Sequence, residues 1–272
     1  MLMNKIGKYS VPEELLFLSE LDKQYSSIYE HDSLLGAYIS LNNFRYSITP
    51  LDVIPFGRTG VDGIHLGFLT DYSQCDALDN AYIVCVSPMD FEKPISILSR
   101  NIRELLALWI AVGDPCLMDA YKYYSREDQF NKFLRKHEKG LYERSIKLEP
   151  YFDMFIQQFD IEPITDVYQY LHSVQQMRHE EKVLPTLDGL GVIRCTSNSG
   201  GHKPYTVTQN GTYKVDEISE YLSGCSMETK LALIRDLQFH HALSDENLVD
   251  FIYRELLKDN LVDEANNLLR DL

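Results

Sequence analysis

Apolar side chains recur at Leu15, Leu18, Leu21, Tyr25 and Ile28, every third or fourth position, which is the spacing of one helix face. Ser10 and Glu13 stand at capping-box separation, so the pattern predicts a helix from about Val11 to Tyr29 with Ser10 as its N-cap. The period then shortens. Ala37, Ile39 and Leu41 alternate with Tyr38, Ser40 and Asn42, as in a half-buried strand, and Asn42-Asn43 reads as a turn. Phe44 to Thr49, Val53 to Phe56, Ile64 to Leu69, the apolar run Ala81 to Val86 and Pro94 to Leu98 continue the strand character. Pro88 and Pro94 bracket a loop, and a proline near the last strand suits the edge of a sheet. Periodicity of 3.6 returns from Arg100 to Val112, where Ile102, Leu105, Leu106, Leu108, Trp109 and Val112 form one face; Gly113 closes this helix and Asp114-Pro115 stops it.

Strands adjacent in sequence between two helices predict an antiparallel sheet with flanking helices rather than a doubly wound parallel sheet. The second half is mostly helical in pattern. Ser125 and Thr165 stand before helical stretches, and Ser226 and Ser244 are expected N-caps of two helices among the three that end the chain, with Asn260 introducing the last. Gly191 to Cys195 and Tyr205 to Thr208 read as short strands, with Asn210-Gly211 a turn beside them. The expectation is an α+β fold in two parts, 1–114 and 115–272, the second mainly helical with a short β-hairpin.

Aromatic residues make up 11% of the chain, too many for a disordered one. The net charge is −15, and the acids are spread along the whole length. That field repels a phosphate backbone and an anionic membrane, so neither nucleic acid nor membrane is an expected partner; it attracts a basic protein. Five widely spaced cysteines without a C-x-x-C pair suit reduced thiols in a cytoplasm, and no apolar leader or 18-residue apolar run is present. Nothing in the sequence bears on oligomeric state.

The densest candidate chemistry lies between Thr59 and Asp71. Asp62, His65 and Asp71 are acid/base residue types, but His65 and Asp71 stand six positions apart, which along a strand separates them by about 20 Å. The expected role of Gly60, Asp62, Gly63 and His65 is therefore structural: a tight glycine turn in which Asp62 bonds its own backbone and His65 is satisfied nearby. Gly57, Gly60 and Gly63 lack the spacing of a dinucleotide fingerprint, and no phosphate loop, nucleophile elbow or closed set of metal ligands is present. No catalytic, cofactor-binding or metal-binding residue is expected.

The segment Thr49 to Leu69, with Pro50-Leu51-Asp52-Val53-Ile54-Pro55-Phe56-Gly57 followed by Gly60-Val61-Asp62-Gly63-Ile64-His65, resembles a segment of proteins of the SUKH superfamily. That group includes the fungal cell-wall-synthesis regulator Knr and many immunity proteins of bacterial toxin systems. The resemblance extends over about residues 10–112. It implies an N-terminal helix, a meandering antiparallel sheet with a Gly/Asp-rich turn, and a closing helix, here Ser99 to Leu106. It also implies a non-catalytic module that binds a protein, expected here to be a basic toxin domain neutralised in the cytoplasm. A regulatory scaffold is the alternative, and an enzyme using Asp62, His65 and Asp71 is the second alternative.

Overall fold

The computed structural model describes residues 5–30, 32–42, 44–195, 205–208 and 211–270. A small hairpin, β1 (Lys5–Ile6) with β2 (Tyr9–Ser10), precedes α1 (Glu13–Ile28). Ser10 pairs with Lys5 in that hairpin, and Pro12, not Ser10, occupies the N-cap of α1. The capping-box spacing is present, but the backbone at Ser10 is committed to a strand. A five-stranded antiparallel sheet follows: β3 (Tyr38–Ile39), β4 (Val53–Arg58), β5 (His65–Leu69), β6 (Tyr82–Val86) and β7 (Ile95–Ser99), in spatial order β3-β4-β5-β6-β7. α2 (Ile102–Val112) closes this part. Its cap is Asn101, whose side chain accepts from the Glu104 N–H, and its end is Gly113 at φ 73°, the left-handed conformation that glycine adopts without a Cβ clash.

The sheet separates two apolar layers, as period-2 alternation requires. Phe56, Leu66, Phe68, Ile83, Cys85 and Leu98 face α1, α2 and the long helix α3 (Glu127–Phe159). Trp109 is fully buried there: its ring meets Phe152 and Phe155 edge-on, and its Nε1–H donates to the Leu34 carbonyl at 2.8 Å. Val53, Leu69, Val84, Val86, Ile95 and Ile97 face the other way, towards α4 (Val167–Glu181). Between α2 and α3 the chain makes a 3-10 segment, Pro115–Tyr123, capped by the Asp114 side chain.

After α4 come β8 (Lys182–Leu184) and β9 (Val192–Ile193), an antiparallel pair, then α5 (Val215–Leu222), α6 (Met227–Phe239), α7 (Glu246–Lys258) and α8 (Val262–Arg270). These helices share a third apolar cluster that includes Leu51 and Tyr72 from the sheet region. Several boundaries differ from the sequence pattern. Phe44 to Thr49 forms turns rather than a strand: the Thr49 N–H closes onto the Tyr46 carbonyl, and the Arg45 guanidinium bridges the carbonyls of Thr49, Pro50 and Val53. The hairpin of the second half uses β8, and Tyr205 to Thr208 is not a strand. The caps of α3, α4 and α7 are Arg126, Asp166 and Asp245, each one residue beyond the expected position. Ser226 caps α6 as expected. Asn43 and Asn210, expected in turns, lie outside the described residues.

Candidate functional site

The strand registers place the sheet's loops at two ends. Arg58 pairs with His65, His65 with Val86, and Val86 with Ile95, so the β4–β5 turn and the β6–β7 loop emerge at the same end. With strands about 4.8 Å apart, the two loops stand about 10 Å from each other. Val53 pairs with Leu69, and Leu69 with Tyr82, so Asp52 and the segment after β5 lie at the opposite end.

The opposite end is a buried ionic core. Asp71, Tyr72 and Ser73 have φ of 50°, 51° and 68°, three successive non-glycine residues in the left-handed region. Such a run costs about 1–2 kcal/mol per residue, so its surroundings must hold it in place. Arg178 of α4 does so by a two-pronged bond to the Asp71 carboxylate, at 2.6 and 2.9 Å, and Glu264 of α8 accepts from the Ser73 hydroxyl at 2.9 Å. Arg235 of α6 is fully buried, bonded to Asp52 at 2.5 Å and to Asp188 at 3.1 Å, with its guanidinium 5.0 Å from the Tyr72 ring centre. Burial pushes the Asp52 carboxyl up to about 6 although Arg235 pulls it down. Every one of these charges faces a partner inside the protein rather than solvent.

The Asp62/His65/Asp71 triplet is not assembled. Asp71 is spent on Arg178. His65 is fully buried, and both ring nitrogens are engaged: Nδ1 lies 2.8 Å from the Gly63 carbonyl, to which it must donate, leaving Nε2 to accept the Thr49 hydroxyl proton at 3.1 Å. Burial pushes the imidazole down to about 4, so it stays neutral, stacked on Tyr46. Gly60 and Gly63 take φ of 79° and 71°, as a tight turn demands, but the bond that locks the turn comes from Thr59, whose hydroxyl donates to the Val61 carbonyl at 3.1 Å. Among the described residues the Asp62 carboxylate forms no hydrogen bond, and no group of three or more His, Cys, Asp or Glu could hold a metal ion. All five cysteines are free thiols, and no helix of the described residues is long and apolar enough to cross a membrane.

The end that carries the glycine turn looks outward. In the β6–β7 loop Met89 is 63% exposed and Phe91 80%, with Tyr123 of the 3-10 segment 49% exposed beside them and Val61 60% exposed on the neighbouring turn. Large apolar side chains left in water at one end of a sheet are the mark of a contact surface. The loop is also rigidly held. The Asp90 N–H bonds the Ser87 carbonyl at 2.9 Å, and its carboxylate accepts from the Lys93 N–H at 3.1 Å, from the Tyr123 hydroxyl at 2.5 Å and from Lys122 Nζ at 2.8 Å. Lys122 also bonds Asp119 at 2.8 Å, and Lys93 Nζ donates to the Lys122 carbonyl at 2.8 Å. Burial raises the Asp90 carboxyl, but the bonds from Lys122 and Tyr123 outweigh it and hold the group below the ordinary carboxylate range; Lys122 is correspondingly pushed up by Asp119 and Asp90 against burial. Both remain charged at neutral pH, so Phe91 is presented on a preorganised loop flanked by Asp90 and Glu92.

The residues of this loop had a faint signature in the sequence: Met89-Asp90-Phe91-Glu92 alternates apolar and acidic types between Pro88 and Pro94, where a plain surface loop would be uniformly polar. Arg178 and Arg235 had another, since each falls on the apolar stripe of its helix, after Leu171 and Val174 in one case and four residues after Leu231 in the other. Neither a protein-family model nor a curated protein matches this chain.

Proposed function

We propose that the protein is a non-catalytic protein-binding module that neutralises a cognate toxin in the cytoplasm, engaging it through the end of the sheet formed by the β4–β5 turn and the β6–β7 loop. The carrying observation is Phe91, 80% exposed on a loop held by the Asp90, Lys122 and Tyr123 bonds. Aromatic anchors that are rigid before binding lose little conformational entropy on association, and such residues dominate interface energetics. The acids beside it and the net charge of −15 favour a basic partner and speed its encounter. Five free thiols are consistent with a reducing compartment.

The same surface would serve a regulatory scaffold, and the identity of the partner separates the two. Wild-type protein and Phe91→Ser are used as bait in the native cell. A basic toxin domain retained by the wild type and lost by the variant sustains the proposal. A constitutive cellular protein with the same dependence moves the reading to a scaffold, and retention that ignores Phe91 removes this surface from consideration. An enzyme built on Asp62, His65 and Asp71 gains no support from the geometry, because His65 and Asp71 are each consumed by internal bonds.

A further inference from the structure

β7 is an edge of the five-stranded sheet, and its outer side floors a groove of about 760 Å³. The Ser87 N–H donates to the Pro94 carbonyl at 2.7 Å, which sets the phase of the β6–β7 ladder. In an antiparallel pair the backbone groups alternate in direction, so Pro94 and Ser96 turn theirs towards β6 while Ile95 and Ile97 turn theirs outward. The outward Ile97 carbonyl is met by the Gln175 side-chain amide of α4 at 2.8 Å, which stands where a neighbouring strand would place a donor. Among the described residues no hydrogen bond reaches the outward N–H and C=O of Ile95 or the N–H of Ile97.

The walls come from both layers of the fold. On one side the 3-10 segment supplies Met118, Tyr121 and Tyr124, tied to β7 by the bond between the Ser96 hydroxyl and Asp119. On the other side Leu190 packs in the same apolar cluster as Ile95 and Ile97. A ligand that satisfies the floor must offer N–H and C=O groups in alternation at strand rise, which is polypeptide backbone. One face of such a strand would lie against Leu190 and the isoleucine layer, which selects valine or isoleucine. The other would face the Tyr121 and Tyr124 rings and a rim that holds Glu92, Lys93 and Lys122; Lys122 is already bonded to both Asp90 and Asp119, so the three carboxylates outnumber the two amines and favour a cation.

We propose that β7 is completed by an extended segment of the partner protein, valine or isoleucine alternating with lysine or arginine, which adds as a sixth strand through the backbone of Ile95 and the N–H of Ile97. This deepens the protein-binding reading above and rests on it. The test uses the full chain, labelled for amide hydrogen exchange, and a capped hexapeptide in which valine alternates with lysine. Exchange at the Ile95 and Ile97 amides is expected to slow roughly tenfold at saturating peptide. The same peptide N-methylated at alternate residues, which keeps the charge and loses the donors, is expected to leave both amides unprotected. Unchanged exchange at millimolar peptide overturns strand addition, as does equal protection by the methylated peptide, which marks electrostatic association only. Either result leaves Phe91-dependent partner capture standing. Protected amides together with capture that ignores Phe91 would instead retain the edge and remove the loop.

Discussion

Replacing Arg235 by leucine is expected to be among the most damaging single substitutions in the protein. The side chain is fully buried, as is that of Asp52, and Asp188 is nearly so. Arg235→Leu keeps apolar volume but leaves two carboxylates in the interior without their cation; removing one partner of a buried ion pair costs about 3–5 kcal/mol. Against a typical total stability of about 5–15 kcal/mol, that is a large fraction. The loss should depend on pH, with a definite sign. Asp52 releases its proton near 3.8 when unfolded and at about 6 when folded, burial being the main cause and Arg235 the opposing one. A raised carboxylate makes the folded state the tighter proton binder, so stability falls as pH rises through that window, by about 3 kcal/mol for two pH units. Without Arg235 the folded value climbs further and the window extends above pH 6. Urea unfolding of wild type, Arg235→Leu, Asp52→Asn and the double variant at pH 5.5 and pH 8 reads this directly. Arg235→Leu should lose more at pH 8 than at pH 5.5, and adding Asp52→Asn should restore part of the loss. A deficit under about 1 kcal/mol at pH 8, or one equal at both pH values, would refute the reasoning.

Phe91→Ser should leave the unfolding free energy within about 0.5 kcal/mol of wild type, since an exposed side chain contributes little to folding, while weakening the partner at least roughly tenfold; calorimetry and binding titration check the two halves. Gly63→Val should lower stability by about 1–3 kcal/mol, because φ is 71° and an added Cβ would meet the Tyr46 ring at 2.9 Å; an unchanged midpoint in thermal melts counts against a strained turn. The His65 imidazole should titrate near 4 by NMR rather than near its ordinary 6.5, so it draws stability down as pH falls between those values, and a midpoint above 6 would show the ring to be solvated.

The sheet was legible because its strands carry their own instructions. The run Ala81 to Val86 is apolar on both faces, and β6 is the strand covered on both sides by β5 and β7 and by two apolar layers. α2 was legible from its face and its glycine stop. What failed locally was decided by side-chain bonds and packing that periodicity does not register. Phe44 to Thr49 has strand composition, yet Arg45 and Thr49 spend their polar groups on the loop around His65. α3 runs for 33 residues through Gly140 and Pro150, two residue types that read as breakers. Gly140 has open space around it, and apolar residues on either side, Phe130 and Phe155 among them, are anchored in the core. The glycine turn at 60–63 could be read because positive φ favours glycine. For the Phe91 surface only the alternation of Met89 to Glu92 was readable, since exposure is a property of the assembled chain; so is the pairing of Arg235 with an aspartate 183 residues earlier.

The left-handed run at Asp71, Tyr72 and Ser73 has a bearing on how the chain comes to be made. Its partners arrive late: Arg178 lies 107 residues after Asp71, and Glu264 lies 191 after Ser73. At a synthesis rate of about 5–20 residues per second, the Glu264 codon is read some 10–40 s after that of Ser73. Until Arg178 is made, the bond from the Tyr72 N–H to the Asp52 carboxylate is the nearest support the turn has, and until Glu264 follows, β4 and β5 lack their final brace. The meander can collapse early on its α1 and α2 side, but closure of its far end waits for α8. Among the described hydrogen bonds few span more chain than the one from Ser73 to Glu264, and contacts of such separation are the ones that form slowly.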